Sequence, residues 1–118
     1  MSELTIYHNP RCSKSRETLQ LLETAGYTPR VVLYLDTPPS AATLRTLLKK
    51  LGMSARQLLR SKEALAKELG LDDPALSEQA LITAMVEHPR LIERPIVVRG
   101  NQAVLGRPPQ NVLALLVE

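Results

Sequence analysis

Short segments rich in β-forming residues lie near both ends of the chain, and the stretch between them carries only helical patterns. The first such segment is Leu4–Tyr7 and the last is Gln102–Leu105, whereas about residues 40–88 repeat apolar side chains at helical spacing. The order of the patterns is therefore strand-helix-strand, a helical insertion, and then strand-strand-helix. This order of patterns limits the chain to a mixed α/β fold.

The first third of the chain has the pattern strand, helix, strand. Leu4–Tyr7 alternates like a strand, and His8-Asn9-Pro10-Arg11 is typical of a turn. We predict a helix from about Ser13 to Ala25, with Gly26 just past its end, and a second strand over Arg30–Leu35. A strand, a helix and a strand in this order indicate a parallel βαβ unit.

The middle of the chain predicts a series of short helices. Gly52 ends the first of them, and Ser54 with Gln57 has the spacing of a capping box for the next. Further helices are predicted over Ser61–Leu69 and Ser77–Glu87. The apolar stripe of the first helix is formed by Leu44, Leu47, Leu48 and Leu51.

Strand patterns return near the end of the chain. Pro95–Arg99 predicts a strand, Gly100-Asn101 a tight turn and Gln102–Leu105 the hairpin partner, and Pro108-Pro109 open a last helix. The predicted fold is therefore α/β, a thioredoxin-like mixed four-stranded sheet with a helical insertion after the second strand. We expect residues 1–118 to form a single domain, as the length also favours.

A single cysteine and an ordinary composition exclude several classes of protein. One Cys cannot form an intramolecular disulfide or a four-Cys zinc site. No apolar run approaches the roughly 20 residues of a membrane span, and the first residues lack a signal-peptide pattern. The net charge of +3 is spread along the chain and aromatic residues are few, which does not favour nucleic acid. We expect a cytoplasmic protein without membrane contact or a bound metal.

Cys12 directly follows the first predicted turn and precedes the first predicted helix. The amides and the dipole at a helix N-terminus favour a thiolate and lower its pKa from about 8.5. Arg11, Lys14 and Arg16 add positive charge nearby, and unpaired helix amides also bind oxyanions. The alternative is that Cys12 is a small buried apolar residue, as free cysteines often are. The polar and cationic flanks favour the reactive interpretation.

The spacing around Cys12 excludes two common thiol sites. A thioredoxin-type dithiol needs a second cysteine where this chain has Ser15, and a phosphatase-type loop needs C-x5-R where Arg16 follows Cys12 after three residues. A monothiol must take its second thiol from another molecule. His8 either tunes the thiolate or is a hydrogen-bonded histidine at a strand end, whereas we interpret His88, at a helix end, as structural.

The segment His8-Asn9-Pro10-x-Cys12-x-x-Ser15-Arg16 resembles the active-site loop of the glutaredoxin-coupled arsenate reductases, a family that also includes the Spx-like regulators. Three further segments match that family's arginine motifs in the same order, so the resemblance covers nearly the whole chain. They are Leu59–Glu63, Leu91–Val98 and Gly106–Pro108.

The resemblance implies a role for each matching residue. Cys12 is the nucleophile, His8 and Ser15 maintain its thiolate, and Pro95 is a cis-proline beside the cysteine. The residues implied to hold the arsenic oxyanion are Arg60, Arg94 and Arg107. Each arginine taken alone has the simpler interpretation of a solvated surface charge, which is nearly neutral for stability.

The sequence therefore predicts a cytoplasmic monothiol oxidoreductase that resembles arsenate reductase. In this hypothesis Cys12 attacks an arsenic(V) oxyanion, glutathione is the co-substrate, a glutaredoxin supplies reduction, and no metal or organic cofactor is bound. Two other functions stay open. One is a non-catalytic Spx-like regulator that binds a partner, and the other is a glutathione-dependent reductase of another substrate.

Overall fold

The computed structural model describes residues 3–116, which fall into two compact units. The first unit holds the described residues up to Thr37 and from Arg94 onward, and the second spans Pro38–Glu93. The ends of the predicted domain, residues 1–2 and 117–118, lie outside the described residues. The single domain over 1–118 stays a prediction.

A four-stranded mixed sheet forms the frame of the first unit. Its strands are β1 (Leu4–Tyr7), β2 (Arg30–Val32), β3 (Ile96–Arg99) and β4 (Gln102–Leu105), in the spatial order β2-β1-β3-β4. β1 pairs parallel with β2 and antiparallel with β3, and β3 pairs antiparallel with β4. The α/β class, the mixed four-stranded sheet and the helical insertion after the second strand are thereby confirmed.

An aliphatic core joins this sheet to two helices of the same unit. These helices are α1 (Ser13–Thr24) and a C-terminal 3-10 helix (Pro109–Leu116). Burial of one large aliphatic side chain in this core stabilises the fold by about 1.5–3 kcal/mol. The core therefore holds α1 beside β1, and with it the turn between them. Its buried members are Leu4, Ile6, Leu22, Val97, Val112 and Leu115.

The second unit is helical throughout. Three of its helices begin at serine caps, because the side chains of Ser40, Ser54 and Ser77 accept hydrogen bonds from first-turn amides. The capping box between Ser54 and Gln57 is confirmed, and Gly52 ends α2 in the left-handed conformation with φ 67°. The helices are α2 (Ala41–Leu51), α3 (Ala55–Leu58), α4 (Ala64–Glu68), α5 (Glu78–Glu87) and a 3-10 turn (Pro89–Leu91).

Two elements are shorter than predicted. β2 ends at Val32 because its partner β1 ends at Tyr7, and the chain then turns with hydrogen bonds back to Leu33. The helix predicted from Ser61 begins only at Ala64, since residues 61–63 form a turn that closes on the Leu59 and Arg60 carbonyls. In both places tertiary or turn contacts override a favourable local pattern.

The last helix is 3-10 rather than α-helical over most of its length. Its buried residues are Pro109, Val112 and Leu115, three apart, which is the repeat of a 3-10 helix. This spacing places all three on one line facing the sheet. None of the helices between residues 3 and 116 has the length and apolarity needed to cross a membrane.

Candidate active site

The turn between β1 and α1 places Cys12 at the N-terminus of α1. Cys12 is the N-cap residue with extended backbone (φ −96°, ψ 124°), and its carbonyl accepts the amide of Arg16 at 3.0 Å. The Asn9 carbonyl accepts the Cys12 amide at 3.0 Å, and the Arg16 guanidinium donates to the Pro10 carbonyl at 2.9 Å. The turn is therefore closed by hydrogen bonds among its own residues, which fix the backbone at Cys12.

The Cys12 side chain is buried, and two backbone amides and two guanidiniums act on its thiol. Burial raises the pKa of this thiol, because a thiolate loses hydration inside the protein. The amide of Ser15 and the guanidinium of Arg94 act in the opposite direction, followed by the amide of Lys14 and the guanidinium of Arg107. Together they outweigh burial, and the pKa of Cys12 lies below its ordinary value.

We expect alkylation of Cys12 by iodoacetamide to rise with pH through a midpoint below the free-cysteine value of about 8.5. Only the thiolate reacts, so the pH profile of the rate reports the folded pKa. Because this pKa is lowered, the thiolate stabilises the fold above the unfolded pKa, and that contribution is lost as pH falls through the folded pKa. Thiolate absorbance measures the same midpoint, and an ordinary value in both free and sulfate-bound protein would contradict the electrostatic argument.

A buried hydrogen bond joins His8 and Ser15, which lie on either side of Cys12 in the sequence. Ser15 is fully buried, its Oγ accepts the Asn9 amide at 3.0 Å, and it lies 2.6 Å from Nδ1 of His8. Burial lowers the pKa of His8, the charge of Arg16 lowers it further, and Glu23 opposes both. The network is satisfied when the Ser15 hydroxyl donates to Nδ1 of a neutral imidazole. His8 and Ser15 therefore lie together, and their effect on the thiolate stays a prediction.

Arg94 and Arg107 lie on the two segments that flank the β3–β4 hairpin. The Arg107 guanidinium donates to the Arg94 carbonyl at 3.3 Å, so the two residues are in direct contact. The peptide bonds Arg94–Pro95 and Arg107–Pro108 are both cis. The resemblance implies the first of these bonds, whereas no sequence signal indicated the second. Both guanidiniums favour the Cys12 thiolate electrostatically and help to lower the pKa of that thiol.

Arg60 belongs to the second unit. Its amide donates to the Leu91 carbonyl at 2.7 Å, and its guanidinium donates to the Arg90 carbonyl at 3.2 Å. Two carboxylates balance its charge, Glu63 at 3.4 Å and Glu93 at 3.8 Å. Arg60 is thus anchored rather than freely solvated, and its place in an oxyanion site stays a prediction.

The remaining cations near Cys12 differ in their contacts. Lys14 forms an exposed ion pair with Glu17 at 3.5 Å, and exposed ion pairs contribute little to the stability of the fold. Arg16 holds the Pro10 carbonyl, which the sequence did not indicate. The close contact between Thr18 and Gly106 inside this unit was not predicted from the sequence either.

This arrangement can perform nucleophilic chemistry on an anion. A thiolate at a helix N-terminus supplies the nucleophile, and amides and guanidiniums offset the charge of an approaching oxyanion. Among residues 3–116, no three His, Cys, Asp or Glu side chains come together as candidate metal ligands.

A mixed sheet in the order β2-β1-β3-β4, with a cysteine on the turn that leaves a central strand, defines a thioredoxin-like thiol protein. The ArsC family model matches residues 7–115. The chain belongs to the ArsC family.

Individual relatives match over nearly their whole length. YfgD, an uncharacterized protein of Escherichia coli, is 64% identical over 115 residues, which cover 97% of each chain. An arsenate reductase of Neisseria meningitidis is 52% identical and covers 98% of this chain and 100% of its own. The structure of an arsenate reductase from Vibrio cholerae superimposes with a TM-score of 0.94 at 55% identity, and covers 96% of this chain and 97% of its own.

Proposed function

We propose that this protein reduces arsenate, with Cys12 as the nucleophile and with glutathione and a glutaredoxin as external thiols. The observation that carries the proposal is the position of Cys12 at the N-terminus of α1, in the same unit as Arg94 and Arg107, which contact each other. Their guanidiniums favour the Cys12 thiolate, and the pKa of Cys12 lies below its ordinary value. Relatives named arsenate reductase, at 52% identity over the full chain, support the substrate. The chain has no second cysteine, so an external thiol is required.

In the first step the Cys12 thiolate attacks arsenic(V). A sulfur–arsenic bond forms, one arsenic–oxygen bond breaks, and that oxygen takes up protons from solvent and leaves as water. Arsenate is an anion at neutral pH, so attack by the thiolate, a second anion, is electrostatically unfavourable. Arg94 and Arg107 offset this repulsion and stabilise the charge of the transition state.

The following steps transfer two electrons from thiols to arsenic. The glutathione thiol displaces a second oxygen as water, and arsenic remains at oxidation state five with two sulfur ligands. A glutaredoxin thiolate then attacks the glutathione sulfur and forms a mixed disulfide, and the electron pair of the broken sulfur–arsenic bond stays on arsenic. Water releases arsenic(III) and regenerates Cys12. These thiols are abundant in a reducing compartment, and we place the protein in the cytoplasm.

A coupled assay with arsenate, glutathione, glutaredoxin, glutathione reductase and NADPH tests the proposal. We expect NADPH oxidation that depends on arsenate, on glutaredoxin and on the protein. A second arm offers phosphate in place of arsenate, because phosphate binds as an oxyanion but is not reduced by thiols. No arsenate-dependent oxidation by correctly folded protein would contradict the function. It would favour a partner-binding regulator or a reductase of another substrate.

A further inference from the structure

Thr18 lies fully buried one turn into α1, and its hydroxyl reaches two segments of the site. It donates to the Lys14 carbonyl at 2.7 Å, within the first turn of the helix, and lies 3.3 Å from the Gly106 carbonyl. Lys14 contributes one of the amides that face the Cys12 sulfur, and Gly106 directly precedes Arg107. One side chain therefore joins the turn that holds the nucleophile to the segment that holds a guanidinium.

Gly106 lies in a space that excludes any side chain. A Cβ at this position would lie 2.5 Å from Oγ1 and 3.0 Å from Cγ2 of Thr18, and 2.9 Å from Cγ of Pro95. Its amide donates to the Pro95 carbonyl at 3.0 Å. Neither neighbour yields easily, because a buried β-branched side chain in a helix and a proline ring have few alternative conformations. Gly106 is thus held between α1 and the residue that follows Arg94.

We propose that Thr18 and Gly106 are positioning residues, whose close contact sets the placement of the Arg94 and Arg107 guanidiniums relative to the Cys12 sulfur. The assignment of the guanidiniums to an oxyanion rests on the proposed function, whereas the contact itself does not. Neither Thr18 nor Gly106 touches the reacting atoms. They act by setting the distance between the guanidiniums and the Cys12 sulfur. A misplacement of about 1 Å lowers the rate of a reaction that depends on orientation by roughly a hundredfold.

Gly106→Ala tests this role directly. Ordinary contact requires roughly 3.5–4.0 Å between carbon atoms, so the added methyl group must push α1 and the Arg107 segment apart by about 1 Å. We expect the pKa of Cys12 to rise toward its free value. We also expect the concentration of sulfate that half-protects Cys12 from iodoacetamide to rise about tenfold. Circular dichroism monitors whether the variant folds.

Two variants of Thr18 separate positioning from general packing. Thr18→Val keeps the shape but removes the hydroxyl, and we expect it to raise the pKa of Cys12 more than Thr18→Ser, which keeps the hydroxyl. Adding Thr18→Ala to Gly106→Ala removes Oγ1 and Cγ2 and is expected to restore part of the lost sulfate protection. Thr46→Ala in α2 is the matched control, because Thr46 donates to the Ala42 carbonyl at 3.1 Å in the same helical geometry.

The pKa of Cys12 decides the outcome. A folded Gly106→Ala with an unchanged pKa and unchanged sulfate protection overturns the proposal, even if its melting temperature falls. If Gly106→Ala does not fold, the Thr18 variants test the proposal instead. A Cys12 pKa in Thr18→Val equal to that in Thr18→Ser then overturns it. Neither readout needs arsenate turnover. A wild-type protein that fails to reduce arsenate contradicts the proposed function. The positioning role of Thr18 and Gly106 is still tested by the pKa of Cys12 in the variants.

Discussion

Cys12→Ser is expected to reduce arsenate-dependent NADPH oxidation to the rate of the assay without protein. The serine hydroxyl is nearly isosteric with the thiol but stays protonated at neutral pH, so no sulfur–arsenic bond can form. The fold should persist, because Cys12 is a helix N-cap and serine is among the preferred residues at that position. The coupled assay measures the loss, and thermal unfolding followed by circular dichroism checks the fold.

Labelling with a thiol reagent provides the internal control for that variant. The wild-type chain has one cysteine and should take up one equivalent, whereas the variant should take up none. Arsenate-dependent turnover by a variant that binds no reagent would show that Cys12 is not the nucleophile.

Arg94→Lys and Arg107→Lys are each expected to lower arsenate turnover by roughly ten- to a hundredfold. Lysine keeps the positive charge but lacks the planar fork that holds two oxyanion oxygens together. A hydrogen bond to a charged group contributes about 1.5–3 kcal/mol, which corresponds to this range. Steady-state kinetics of the coupled assay, with arsenate varied, measures the loss. Rescue of most activity by lysine would mean that charge alone matters.

Two arginines elsewhere in the chain are matched controls for these substitutions. Arg30 is exposed on β2, and Arg45 contacts the Gln79 side chain in the second unit. As controls, Arg30→Lys and Arg45→Lys should leave arsenate turnover nearly unchanged. Arg60→Lys is not a control, because Arg60 is the third predicted oxyanion ligand. Equal and small effects at all five positions would mean that no arginine pocket exists, which favours the regulator function.

Local sequence signals predicted most of the elements that frame the site. The β-forming run of β1, the Ser54–Gln57 capping box and the Gly100-Asn101 turn each specify a conformation within a few residues. The end of β2 depends instead on the length of its partner strand. The last helix is 3-10, and its apolar pattern did not distinguish this form, because the spacing of Val112 and Leu115 is tolerated by an α-helix as well.

Within the candidate site, the sequence predicted those residues whose type and spacing indicate their chemistry. Cys12 after a strand and before a helix indicated a thiolate, and the structure gives that thiol a lowered pKa. The close approach of Gly106 to Thr18 joins residues 88 positions apart, so no local pattern reveals it. The carboxylates beside Arg60 were missed for the same reason, since Glu93 reaches it only through the fold.

Protection of Cys12 by arsenate tests the oxyanion site most directly. The iodoacetamide rate at fixed pH is measured as arsenate is raised, in wild-type protein and in Arg107→Ala. We predict that arsenate slows the wild-type reaction to a plateau, and that Arg107→Ala needs a roughly ten- to a hundredfold higher concentration for the same protection. A wild-type rate that stays constant at every arsenate concentration would contradict an oxyanion site at Cys12.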